Sequence, residues 1–310
     1  MDEKLIVSYA PHIRTERGMP ALMRDVLIAL IPAFLVGVYA FGVRALLHTL
    51  ICAASCVAFE YLWCIFMKKE PTIYDCSAII TGVLLAFNMP ASAPLWIGIV
   101  GGFFAIIIVK CFFGGLGHNF MNPALAARAF LLSCWPVFMT TWTNPVYGNF
   151  FEMGAVSSAT PLTAEAGTYT YLDLFVGNSV GCIGEMSVLA LLIGFAYLLI
   201  RKVITWHIPV IYVGVVFVLS YLFGSDGLYQ ILSGGLILGA VFMATDYTTS
   251  PMTIKGQIVY SILLGVITVV IRTFGSLPEG VSYSILVMNV VTPLIDKFTQ
   301  NKRYGGKANG

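Results

Sequence analysis

Ten apolar runs follow one another along this chain, near residues 25–43, 46–67, 76–89, 95–113, 121–139, 186–200, 206–223, 228–244, 258–273 and 281–296. A bilayer core is about 30 Å thick and takes about 20 apolar residues per crossing helix. The runs therefore predict an all-α polytopic membrane protein of about ten transmembrane helices. Composition closes off the alternatives. The 310 residues are 58% hydrophobic and 10% charged, with a mean hydropathy of +0.88, whereas soluble domains carry about 25% charge. So few charges cannot cover a soluble surface, which excludes a cytosolic globular enzyme, a disordered chain and a nucleic-acid binder. The net charge of +2 is too small to call for a polyanionic partner. The first twenty residues are polar and mixed in charge, so no signal peptide is expected.

Two runs, 76–89 and 228–244, are short for a full crossing and stop at Asn88-Met89-Pro90 and Thr245-Asp246. Interrupted spans survive in lipid where their ends are buried in protein or line a cavity. Basic residues set orientation. With the N-terminus inside, Lys4, Arg14, Arg17, Lys68, Lys69, Arg201, Lys202, Lys255, Lys297, Lys302, Arg303 and Lys307 fall on the cytoplasmic side, and Arg44 and Arg272 on the other. The chain thereby divides into a cytoplasmic segment 1–24, a first membrane half 25–139, an extracytoplasmic loop 140–173, a second half 174–296 and a cytoplasmic tail 297–310. Residues 174–184 are apolar but broken by glycines and read as a re-entrant half-helix. Gly-rich hinges at 114–119 and 275–280 follow the fourth and ninth runs, the pattern of an inverted repeat of five plus five spans.

Four groups of residues could carry chemistry. Ser157-Ser158-Ala159-Thr160 places a hydroxyl among small residues in the long external loop, open to esterification, although such a string is often only a turn. Gly117, Asn119 and Asn122 belong to GGLGHNFMN, with the two amides on one helix face. Those amides suit an uncharged ring with carbonyl and imide edges, such as an isoalloxazine; the bland alternative is helix capping. Arg128 lies inside an apolar run, where a charge is costly and usually functional or paired. Glu60 sits mid-span, and Asp75, Asp246 and Asp296 lie near span ends, so these acids are candidates for ion coupling. The seven cysteines form no CxxC and the four histidines no HxxxH or HExxH, so no metal site and no disulfide framework are expected.

Five strings carry a resemblance: DCSAIITGVLLAFNMP (75–90), GGLGHNFMNPALAARAFL (114–131), SSATPL (157–162), ATDYTTSP (244–251) and LPEGVSYSILVMNVVTPLID (277–296). In this order they resemble the NqrB/RnfD family, on its shorter RnfD-like branch. The resemblance implies a flavin-bearing membrane subunit of an Rnf-type ferredoxin:NAD+ oxidoreductase, coupled to Na+ or H+ translocation and inactive alone. It implies FMN joined through its phosphate to Thr160 by a flavin transferase, and a non-covalent riboflavin near Gly117, Asn119, Asn122 and Arg128. The family motif has an Asp six residues before the Thr, where this chain has Gly154; attachment is expected nonetheless. Implied partners are RnfA, RnfB, RnfC, RnfE and RnfG, the transferase and the bilayer, in the inner membrane and without nucleic acid. Architecture alone fits a rival class, a secondary transporter or channel without redox function, which bound flavin would exclude.

Overall fold

The computed structural model describes residues 18–69, 73–148, 150–151, 156–157, 160–162, 169–275 and 280–300. Four helices are long and apolar enough to cross a membrane: α1 (Met19–Phe41), α2 (Val43–Phe66), α12 (Ile254–Phe274) and α13 (Gly280–Thr299). Five shorter apolar helices join them: α3 (Ser77–Phe87), α4 (Leu95–Cys111), α5 (Pro123–Cys134), α8 (Val188–Ile200) and α9 (His207–Leu222). Short elements complete the set: α6 (Pro136–Met139), α7 (Tyr171–Val176), α10 (Gly227–Leu232) and α11 (Leu236–Leu238), which continues as a π-turn over Gly239–Met243. The protein is an all-α, multi-pass membrane protein. Its only strands among the described residues, β1 (Trp142–Thr143) and β2 (Val156–Ser157), pair antiparallel.

Burial is distributed as lipid demands. Leu35, Leu62, Phe66, Val218 and Leu294 face outward, while Glu60, Lys110, Arg128 and Asn289 are enclosed. Lipid solvates apolar side chains, so the scarce polar ones collect inside the bundle and find partners there.

The packing repeats. In the first half α2 packs on α3 and α4, and α4 on α5; in the second, α9 packs on α10 and α12, and α12 on α13. The halves meet through α1 against α8 and α5 against α13. At one end α1 and α8 are tied by Arg201, which donates to Asp25 at 3.2 and 3.3 Å.

Each half contains one broken span. α3 ends at Asn88, and the chain turns through Met89–Pro94 before α4 begins. The π-turn after α11 ends at Met243, and irregular chain leads on to α12. The two ends meet: the Asn88 amide lies 3.7 Å from the Met243 sulfur. The last carbonyls of α3 are satisfied by a distant segment, since Gly184 N–H donates to Phe87 O at 3.0 Å and Ile183 N–H to Met89 O at 3.1 Å. Residues 174–184, expected as a half-helix, are therefore helical only to Val176. Beyond it they form buried, irregular backbone that fills the break after α3. Irregular backbone is tolerated at this depth because it is buried in protein.

One close approach limits the sequence. A Cβ on Gly82 would lie 2.5 Å from the Ala53 Cα, so glycine sets the spacing of α2 and α3. Gly82→Ala is expected to cost about 1–3 kcal/mol through overpacking, visible as earlier thermal aggregation in detergent; an unchanged melt would contradict this spacing.

Candidate functional site

One cavity opens where Met23 lies in the second turn of α1, Ser77 begins α3, Asn122 precedes α5 and Leu198 nears the end of α8. Its walls are mostly apolar, with Ile80, Leu84, Val241 and Phe242 prominent, and a few polar groups converge on it: Asn119, Asn122, Thr248, Asp246, Ser77 and Lys110. Such a balance is usual for pockets that hold a flat organic cofactor. The irregular chain after Met243 lines the cavity with Thr245, Asp246, Tyr247 and Thr248. The corresponding break after Asn88 is filled by the segment around Ile183 and Gly184.

The polar wall is organised. Asn119 Nδ2 donates to Thr248 Oγ1 at 3.1 Å, and Thr248 Oγ1 donates to Asp246 Oδ2 at 3.1 Å. This chain of hydrogen bonds joins the two halves across the cavity. Enclosure by protein pushes the Asp246 carboxyl above the usual carboxylate range, partly offset by its hydrogen bonds from Thr248 and Thr249. Asn122 does what its capping alternative says: Oδ1 accepts from the Ala124 and Leu125 amides at 3.1 and 3.4 Å. Its Nδ2 faces Met243 O at 3.5 Å, the carbonyl end of the second broken span. Gly117 lies in the hinge before Asn119 with φ +91°, beside the cavity-lining Leu116.

Arg128 is not part of this wall. Six residues beyond Asn122 turn a helix by about 240°, and its guanidinium reaches the other side of α5. There it donates to Asn88 Oδ1 at 3.4 Å and Ser282 Oγ at 2.6 Å, and lies 3.7 Å from Cys182 Sγ. It thus places a cation at the carbonyl end of α3, where the helix dipole favours one.

The candidate acids separate. Glu60 is buried and held by Lys110 at 2.9 and 3.0 Å. Asp75 accepts from the Ser77 hydroxyl at 2.6 Å. Asp296 lies away from the cavity and caps the turn at Met252, accepting its amide at 3.2 Å. Sequence reasoning missed Lys110, Ser77 and Thr248. Lys110 carried the same signal as Arg128, a charge within an apolar run.

Thr160 lines a separate, smaller cavity with Pro161, Ser179, Glu185 and Ser233. It is 5% exposed. Tyr229 Oη donates to Pro161 O at 2.9 Å. Arg272 holds the facing bend, donating to Gln230 O at 2.6 Å and to the Ser233 and Gly234 carbonyls at 3.2 Å. The backbone of Ser157 lies in β2; Ser158, Ala159 and Gly154 lie outside the described residues. The two cavities lie toward opposite ends of α8: Met186, just before the helix, lines one and Leu198, near its last turn, the other.

Fold and sites together define a class: a polytopic membrane protein with broken spans, a mostly apolar cavity edged by a few polar groups toward one end of α8, and an enclosed threonine toward the other. The NQR2, RnfD, RnfE family model matches residues 6–305. Over 308 residues the chain is 52% identical to the D subunit of the Na(+)-translocating ferredoxin:NAD(+) oxidoreductase complex of Acetobacterium woodii, covering 97% of this chain and 95% of that one. Over 319 residues it is 41% identical to the D subunit of the proton-translocating ferredoxin:NAD(+) oxidoreductase complex of Clostridium ljungdahlii, covering 96% of each. The D subunit of the ion-translocating oxidoreductase complex of Alcanivorax borkumensis is 35% identical over 334 residues, with 98% of each covered. The chain belongs to the NQR2, RnfD, RnfE family.

Proposed function

We propose that this chain is the flavin-bearing membrane subunit of an Rnf-type, ion-translocating ferredoxin:NAD+ oxidoreductase. The observation that carries the reading is a mostly apolar cavity edged by Asn119 and Asn122, together with an enclosed threonine in a separate cavity toward the other end of α8, in a chain of this family. No cysteine cluster or nucleotide-binding fingerprint occurs in the sequence, so electrons arrive and leave through partner subunits, RnfA, RnfB, RnfC, RnfE and RnfG. Flavin supplies the redox chemistry; the protein positions the rings and tunes them.

The residues fit that task. Thr160 offers the hydroxyl for FMN, joined by a flavin transferase through a phosphodiester. Arg272 and Tyr229 shape the seat of the Thr160–Leu162 segment. At the other end the cavity takes a non-covalent riboflavin: apolar walls exclude water from the ring, and Asn119, held by Thr248, presents an amide to its polar edge. Gly117 gives the hinge its positive φ of +91° beside the cavity-lining Leu116. Arg128 serves the scaffold between the two flavins rather than either one. The distribution of basic loops supports a cytoplasmic side for the riboflavin cavity and both termini, in the inner membrane, with Thr160 on the far side.

Peptide mapping of the purified chain tests the reading: FMN mass on the peptide containing Thr160, with riboflavin released on denaturation, is the expected result. A chain purified with the complex and free of any flavin would contradict it. Asn119→Leu is expected to lose most of the riboflavin and none of the covalent FMN, read by extraction and chromatography. Broken helices in repeated halves also suit a secondary transporter; transport by the chain reconstituted alone would favour that reading.

A further inference from the structure

The cavity touches a charge pair that the flavin reading leaves unused. Lys110 lines the cavity and at the same time holds Glu60 at 2.9 and 3.0 Å, with side chains 2% and 4% exposed. A third contact leads away: Lys110 Nζ donates to Ser77 Oγ at 2.6 Å, and Ser77 Oγ donates to Asp75 Oδ1 at 2.6 Å. Asp75 is half-buried at the start of α3. Glu60, Lys110, Ser77 and Asp75 thus form one polar thread from the bundle interior toward its end, through three elements.

A buried ion pair is a poor device for stability, because desolvating both charges offsets most of their attraction. An apolar pair would hold α2 to α4 as well in a lipid-solvated bundle. Lys110 also lies on the π-wound stretch Phe104–Cys111, and such irregular turns frequently mark functional sites. Two thiols, Cys56 and Cys111, also feel Glu60. Among the described residues, Lys110 is a cation in direct contact with it.

We propose that Lys110 is a movable counter-charge, linking the electron load of the cavity to cation uptake at Glu60 through Asp75 and Ser77. The inference rests on the flavin reading of the cavity. One electron from the complex's own donor adds one negative charge to the cavity's occupant. The Lys110 ammonium turns toward that charge and keeps its proton. Glu60 remains anionic and takes one cation, H+ or Na+, from the side of Asp75. Oxidation of the occupant draws Lys110 back to Glu60 and releases the cation. Charge balances in each direction, and no further reactant is needed.

The test uses the purified complex and the midpoint potential of the non-covalent flavin, titrated against pH and Na+. The informative variant is Glu60→Gln/Lys110→Met, which removes both charges and leaves neither one buried alone. In wild type, one cation per electron contributes a dependence of about 59 mV per tenfold change in that cation. The double variant is expected to keep its flavin and lose that contribution. A wild-type dependence that persists unchanged in the double variant overturns the proposal, as does a wild-type potential that ignores both ions. Flavin lost without any change in slope in the molecules that retain it marks a structural pair and overturns it too. Absence of non-covalent flavin from the wild-type complex overturns the cavity assignment together with the proposal. Should the double variant fail to fold, reduced-minus-oxidised infrared spectra of wild type and Glu60→Asp decide. A carboxyl band that shifts between the two supports the proposal, and no shift overturns it.

Discussion

Replacing Thr160 by alanine is expected to abolish flavin fluorescence of the chain in a denaturing gel. Detergent denaturation releases any flavin held by the fold, so what remains is covalent. The phosphodiester needs a hydroxyl, and Ser157 and Ser158 lie too early in the motif to replace the one at position 160. Thr160→Ser keeps the hydroxyl and is expected to retain part of the signal, whereas Thr160→Val keeps the shape of the side chain and loses it. Fluorescence surviving in Thr160→Ala would move the attachment site elsewhere. Because the Thr160 segment seats in its own cavity, well away from Asn119, the non-covalent flavin is expected to stay at wild-type stoichiometry.

Arg128→Met is expected to destabilise the chain more than Gly82→Ala or any change at Thr160, by roughly 3–5 kcal/mol. The guanidinium donates to groups on three elements other than its own: Asn88 beyond α3, Cys182 in the buried irregular segment and Ser282 on α13. Its removal leaves the Asn88 and Ser282 oxygens inside a lipid-embedded bundle with fewer partners, and leaves the α3 carbonyl end without its cation. Arg128→Lys restores a charge but not the planar fork that reaches several partners at once, so it is expected to fall between Met and wild type. Thermal aggregation of the purified complex gives the measurement, and a Met variant as stable as wild type would remove Arg128 from the centre of the fold.

Much of the architecture was legible because lipid makes the code simple. The apolar runs 46–67, 95–113 and 206–223 differ by only a few residues from the helices Val43–Phe66, Leu95–Cys111 and His207–Leu222. The short runs announced the two broken spans for the same reason: too few apolar residues to cross the core. Residues 174–184 were harder. Their hydropathy says only that they are buried, and their backbone is set by hydrogen bonds to Phe87 and Met89, far away in sequence. Pairing was harder still. Glu60 stood out as a lone acid, but periodicity carries no information about its bond to Lys110, fifty residues on. Asn122 shows the opposite case. Asn before Pro at the start of an apolar run is a capping signal, and the cap forms, while Asn119 is spent on Met121 O and Thr248 Oγ1 at the cavity wall.

The plug in the first broken span also sets a timetable for biosynthesis. The carbonyls of Phe87 and Met89 enter the membrane about one hundred residues before Gly184 and Ile183, the amides that satisfy them, have been made. Unsatisfied backbone in hydrocarbon costs several kcal/mol per group. The nascent first half therefore cannot settle in lipid as an independent unit. It waits, shielded by the insertion machinery or by its own neighbouring helices, until the second half arrives to close it.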